Sequence, residues 1–262
     1  MTTPPTLSRR TALKAGAGSV IAAVSLAGCL GQSHGSLTTH PPSKTLQSHG
    51  WQGPHHVDRH VTNTVSLAGV KKKIHAHLKG DWYTRPKTPP KEAQKAGFTA
   101  QTLPIPSEFF GAGKVATNPN VSDLLGISNN ILEQLFKRIA AQAIPQLEQA
   151  GFTNIHKVQD TTLSVTGGNT ARYHRYDATY PYQQQTIAQN GTQYTIRSGS
   201  LPVELQSALW VANGLLVGAV GIHPNGPGKV SVSADGQTKT FDLGFTPKQD
   251  RQTLKQYITQ VS

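Results

Sequence analysis

Residues 201–222 read LPVELQSALWVANGLLVGAVGI, two largely apolar runs separated by Asn213-Gly214. An Asn-Gly pair between apolar runs is a strong hairpin signal, because both central residues of a type I′ turn adopt positive φ. Leu201 to Ala212 and Leu215 to Ile222 are therefore expected as central antiparallel strands. Gly218 and Gly221 remove two side chains from the second strand and permit close backbone approach there.

Outward from this hairpin the same signal recurs at Asn190-Gly191 and Asp235-Gly236. Upstream, Ile155 to Val158 leads into Thr161 to Val165. Gly167-Gly168-Asn169 turns the chain, and Ala171 to Tyr182 follows as a strand. It carries Tyr173, Tyr176, Tyr180 and Tyr182 beside Arg172 and Arg175, and tyrosines on a strand cover a core edge or rim a groove. Near the N-terminal side, Val61, Val65 and Leu67 suggest one strand. Ile74, Ala76 and Leu78 alternate with Lys73, His75, His77 and Lys79, the two-residue period of a half-buried strand. Asp81 to Ala96 reads as a proline- and lysine-rich loop, and Phe98 to Leu103 as a further strand.

Two segments have helical period. Ile131, Leu132, Leu135, Phe136, Ile139, Ala143, Ile144 and Leu147 form one stripe between about Asn129 and Ala150. Ser128 or Asn129 caps its start, Gly151 ends it in the left-handed conformation, and Pro145 is expected to kink or break its last turn. At the C-terminal end, Thr246-Pro247-Lys248-Gln249 reads as a capping box with proline at the first helical position. Leu254, Tyr257, Ile258 and Val261 then share a face. The fold class expected is α+β: an antiparallel sheet packed by one long central helix and a C-terminal helix, all within residues 61–262.

The first 60 residues read differently. Ser8-Arg9-Arg10-Thr11-Ala12-Leu13-Lys14 precedes an apolar run from Ala15 to Leu26, then Leu26-Ala27-Gly28-Cys29. The run is well short of the ~20 residues a spanning helix needs. Arg9 and Arg10 resemble a twin-arginine export motif, although Ala12 stands where a bulkier apolar residue is usual. Leu26 to Cys29 resembles a lipobox, with cleavage expected between Gly28 and Cys29 and lipid attached to Cys29. Residues 1–28 are thus a lipoprotein signal, and the expected location is the outer, extracytoplasmic face of the cell membrane, held by the lipid. Cys29 is the single cysteine, so no intrachain disulfide forms.

Residues 29–60, rich in Gly, Ser, Pro and His, read as a flexible tether. His34, His40, His49, His55, His56 and His60 lie in it, with His75 and His77 further on. Their spacing matches no defined metal site, so no metal or other cofactor is expected. The formal charge of +12 falls by the three units of Arg9, Arg10 and Lys14 when the signal leaves. A tethered basic domain is drawn to anionic headgroups. Zinc-finger, stacking and nucleotide-loop motifs are all missing, and no nucleic-acid partner is expected.

The lipobox leader, Asn118-Pro119 ahead of the helix at Asn129, Gly151-Phe152 after it, and the hairpin from Val211 to Pro224 together resemble an uncharacterised lipoprotein family of salt-adapted archaea, known only as a domain of unknown function. The likeness covers roughly residues 61–225 and implies no catalytic residue. The basic charge departs from it, since proteins of such organisms are normally acidic. The order of strands, helix, meander and terminal helix is also similar to the antiparallel α+β fold of photosystem accessory and mycobacterial lipoprotein domains, a likeness of fold alone. No Gly-x-Ser-x-Gly, phosphate-binding glycine loop or His-Glu-x-x-His is present. The expectation is a non-catalytic module binding a ligand or an envelope partner. The alternatives are an enzyme with a dispersed site and a histidine-based metal-binding surface protein.

Overall fold

A computed structural model describes residues 41–67, 70–100, 102–118, 129–189 and 191–262. In chain order the elements are α1 (Ser43–Ser48), β1 (Gln52–Leu67), β2 (Val70–Arg85), α2 (Lys91–Lys95), β3 (Glu108–Asn118), α3 (Asn129–Gln149), β4 (Thr153–Val165), β5 (Asn169–Tyr182), β6 (Gln185–Gln189), β7 (Thr192–Ile196), β8 (Gly199–Ala212), β9 (Leu215–Pro224), β10 (Lys229–Ala234), β11 (Gln237–Asp242) and α4 (Pro247–Gln260). They form a seven-stranded sheet in the order β1-β2-β3-β9-β8-β5-β4 and a four-stranded sheet in the order β11-β10-β7-β6. Every pairing is antiparallel.

The quoted hairpin lies at the middle of the large sheet as β8 and β9. Asn213 (φ 51°) and Gly214 (φ 74°) turn it, and Asp235 (φ 50°) and Gly236 (φ 77°) do the same between β10 and β11. β9 is buried along its whole length, as expected of a strand covered on both faces. One face of β8 carries Ala208 and Trp210, packed with Leu254, Tyr257, Ile258 and Val261 of the α4 region. Leu254 reaches down over Gly221, where an added Cβ would lie 2.9 Å from its Cδ1. The other face carries Val203, Leu205 and Leu209, packed with Leu147 and Ile139 of α3. A third cluster joins Phe98, Leu103 and Ile105 to the small sheet through Ile196, Val230, Val232 and Phe241.

The α+β expectation is corrected: among the described residues strands hold 55% and helices 21%, so the fold is mainly β. α3 does span 21 residues, but it lies on one face of a sheet whose core is made by strands and is not a central element. Its period correctly shows a helix and says nothing of rank. Pro145 does not end it; Ile139 before the proline and Leu147 after it are both buried, and that packing holds the helix on either side of the missing donor. Gly151 takes φ 97° as expected, and Phe152 N–H reaches back to Leu147 O at 3.0 Å to close the helix end. The side chains of Ile131, Leu132, Leu135 and Phe136 lie outside the described residues.

Three further expectations change. The tether is corrected for residues 41–60: α1 buries Leu46, and β1 pairs with β2 from Gln52 to Leu67. Its His and Pro content hides a strand whose polar side chains face solvent. Asp81 to Arg85 is strand rather than loop, with α2 inside the rest of that stretch. Phe98 to Leu103 forms no strand among its described residues, while Glu108–Asn118, unassigned in the sequence reading, is β3. In α4, Pro247 starts the helix, but Thr246 makes no capping bond to a backbone N–H. Its hydroxyl donates instead to Asp250 Oδ2 at 3.3 Å.

Candidate functional site

Where the first turns of α4 cross the large sheet, the register lines up polar residues in adjacent strands. Arg85 lies opposite Glu108, Glu204 opposite His223, and Asp177 opposite Glu204. Residues directly opposite share a face. Glu204, Gln206 and His223 are fully buried. Arg251 of α4 donates to Glu204 through Nε at 2.8 and 2.9 Å and approaches it through Nη2 at 2.7 Å. Arg175 lies 3.4 Å away. His223 donates from Nδ1 to the Pro224 carbonyl at 2.7 Å, and its Nε2 is 3.1 Å from Glu204 Oε1. Gln206 spends its amide hydrogens on Glu204 Oε1 (3.3 Å) and Arg251 O (3.2 Å), and accepts from the Tyr173 hydroxyl at 3.0 Å.

Burial pushes the Glu204 carboxyl up. The bonds and charges of His223 and Arg251 outweigh it and hold the group below its ordinary value. Tyr173, whose burial adds to the repulsion of the Glu204 charge, is pushed up to about 12. A second knot adjoins the first. Arg85 donates to Glu108, Lys87 Nζ lies 2.7 Å from Glu108 Oε1, and Lys87 also reaches both oxygens of Asp250 at 3.0 Å. Asp250 sits in the first turn of α4, where the helix dipole favours a negative charge. The buried carboxylates of Glu204, Glu108 and Asp250 are each paired with cations of the chain itself, and these pairs fasten α4 to the sheet.

Openings border the sheet on both sides of the hairpin. The cleft between α3 and the sheet has a volume of about 70 Å³ and is lined by Ile139, Ala143 and Leu147 on one side and Tyr176, Leu205 and Val220 on the other; Ser207 adds one hydroxyl. A cavity of about 300 Å³ lies at the Asn213 turn, between Lys114, Asn169, Trp210 and the C-terminal Ser262. Among the described residues its lining holds no His, Asp or Glu side chain, and burial pushes the Lys114 ammonium down.

The β1–β2 hairpin carries a third arrangement. The register pairs His56 with Asp81, Asp58 with Lys79, His60 with His77 and Thr62 with His75. His77 Nε2 donates to Asp58 Oδ1 at 2.7 Å, while Lys79 lies 3.3 Å from Asp58 Oδ2. The rings of His60 and His77 stack with centroids 3.9 Å apart at 16°. The hydrogen bond from His77 is the first cause holding Asp58 below its ordinary value. Ligand-capable atoms of Asp58, His60 and His77 all fall within 4.8 Å of one another. His55 points to the opposite face and stacks on Trp82. His49 is hydrogen-bonded to the Tyr257 hydroxyl at 2.6 Å.

A family model described as a domain of unknown function, DUF6517, matches residues 38–262. The chain belongs to that family. No curated protein and no solved structure matches it significantly. The DUF6517 domain therefore starts inside the segment read as tether and extends past both ends of the likeness drawn from sequence at residues 61–225. Arg9, Arg10, Gly28, Cys29 and His34 precede it, and these residues and His40 lie outside the described residues. Among the described residues no helix is long and apolar enough to cross a membrane. The tyrosines of β5 do not gather into one groove: Tyr173 is buried beneath α4, Tyr176 lines the α3 cleft, Tyr180 packs on Phe152, and Tyr182 donates to Lys229 O. The Glu204 knot of the DUF6517 domain was not among the expected sites. Its trace in the sequence is a Glu and a Gln two residues apart inside an otherwise apolar strand.

Proposed function

We propose that the protein is a lipid-anchored module on the outer face of the cell membrane that binds an uncharged aliphatic ligand and does not convert it. The observation that carries the binding reading is the α3 cleft, apolar on both walls beside Tyr176. The groups best suited to acid–base work, Glu204 and His223, are shut away beneath α4 and occupied by partners. Among the described residues the lining carries no charged group, which favours a ligand without one. The leader from Arg9 to Cys29 supports the anchor, and the basic balance of the remaining chain favours approach to anionic headgroups.

Two measurements test the two halves of this reading. Native protein is expected in the membrane fraction with a lipid-modified Cys29 at its N-terminus, and Cys29→Ser in the soluble exported fraction, since the attached chains supply the anchoring. A Cys29→Ser protein still wholly membrane-bound would sink the anchor. Exchange of Arg9 and Arg10 for Lys is expected to stop export. For the cleft, a fluorescent probe with an aliphatic tail is expected to saturate the full chain at one site. Ala143→Phe, which fills the cleft from α3, is expected to weaken it by about tenfold or more. Probe binding that ignores Ala143→Phe removes the cleft as the ligand seat and leaves the anchor standing.

A further inference from the structure

We propose that the exposed face of the β1–β2 hairpin is a binding site for a borderline divalent transition metal ion, with Asp58, His60 and His77 as ligands. This goes beyond the apolar cleft and involves a different part of the fold. The first support is convergence: a carboxylate and two imidazoles, drawn from two strands, have their ligand atoms within 4.8 Å. Tetrahedral coordination at metal–ligand distances of ~2.0–2.1 Å separates neighbouring ligand atoms by about 3.3 Å. Asp58 Oδ1 and His77 Nε2 stand at 2.7 Å, so a shift of under about 1 Å in the exposed Asp58 and half-buried His77 side chains fits an ion between them.

The second support is the framework. Cross-strand pairing of His60 with His77 and the direct Asp58 neighbour fix the spacing, so little ordering is needed on binding. Lys79 engages Oδ2 of Asp58 and leaves Oδ1 toward the imidazoles; its charge nearby weakens binding without blocking it. Two nitrogens and one oxygen suit Zn²⁺, Cu²⁺ or Ni²⁺ and do not suit Ca²⁺ or Mg²⁺, which take oxygen cages. Three protein ligands on an exposed face leave the remaining position to water. His56, with its own partner Asp81, and His75, bonded to Thr62, flank the site on the same face.

The test titrates the full chain with Zn²⁺ by calorimetry. One ion per chain is expected. His60→Ala, His77→Ala and Asp58→Asn are each expected to weaken binding beyond the roughly 10–100-fold that loss of an outer-shell partner costs. His55→Ala, on the opposite face, and the paired His34→Ala and His40→Ala changes are expected to leave it unaltered. Because the site belongs to paired strands, the melting midpoint is expected to climb with Zn²⁺ concentration. Cu²⁺ bound to the native protein is expected to show hyperfine coupling to two imidazole nitrogens by electron paramagnetic resonance, a readout that needs no variant. Absence of saturable binding, a Cu²⁺ signal without two-nitrogen coupling, or affinity unchanged in His60→Ala and His77→Ala overturns the proposal.

Discussion

Arg251→Ala is expected to destabilise the protein by about 3 kcal/mol, the lower end of the range for breaking a buried ion pair. Glu204 is fully buried and keeps His223, Arg175 and the Gln206 amide after the change, so its charge stays in a low-dielectric site with its bidentate partner gone. For a chain of this size the melting midpoint should fall by roughly 6–12 °C. The loss should depend on pH. In the native protein Glu204 titrates below its unfolded value of 4.5, so its contribution is full above that value and fades as pH falls through the folded one. In the variant the carboxyl loses the bonds and charge of Arg251, which help to hold it down, and its folded value rises. Protonation then relieves the buried charge, and the deficit against native protein should narrow as pH is lowered. Thermal melts from neutral pH down to about pH 4 decide the matter; a deficit that stays constant means that Arg251 acts through packing alone.

Trp210→Ala should cost still more, about 3–5 kcal/mol, the range for emptying an aromatic site in a core. The side chain is 1% exposed and belongs to the cluster that seats Tyr257, Ile258 and Val261 on the sheet. It also walls the cavity at the Asn213 turn, so the void it leaves joins an existing opening and the sheet has little to collapse onto. Urea unfolding should show a lower midpoint at unchanged slope, whereas a changed slope would mean that the native state itself has loosened. Trp210→Phe, retaining most of the apolar contact, should recover more than half of the loss.

The parts legible in the sequence are those in which a local cause suffices. Asn213-Gly214 and Asp235-Gly236 turn hairpins because their own backbone angles demand it. Gly151 ends α3 for the same reason, and Leu254, Tyr257 and Ile258 mark the buried side of α4 by spacing alone. The parts that escaped depend on partners far along the chain. β1 is an edge strand, and its His, Asp and Arg residues are tolerated because solvent covers one side; alternation of apolar residues is too weak there to betray a strand. β3 is short of large alternating residues over Gly111 to Gly113, since its neighbours approach closely. Asp58 and His60 sit two apart, which means a shared face only once a strand is assumed, and their partner His77 comes from β2. The cap at Thr246 failed for a similar reason: Asp250, held by Lys87 from another part of the fold, draws the hydroxyl away from the backbone.

The pairing of β3 with β9 has a consequence for biosynthesis. Phe109 lies opposite Ile222, about a hundred residues later, so at ~5–20 residues per second a growing chain waits on the order of 5–20 s between making one strand and making its neighbour. During that interval Tyr83 and Phe110 have been synthesised, while β9 and α4, which bury them, have not. The nascent polypeptide thus exposes an aggregation-prone surface until α4 has emerged. Premature termination anywhere ahead of α4 yields a product that exposes its largest aromatic core.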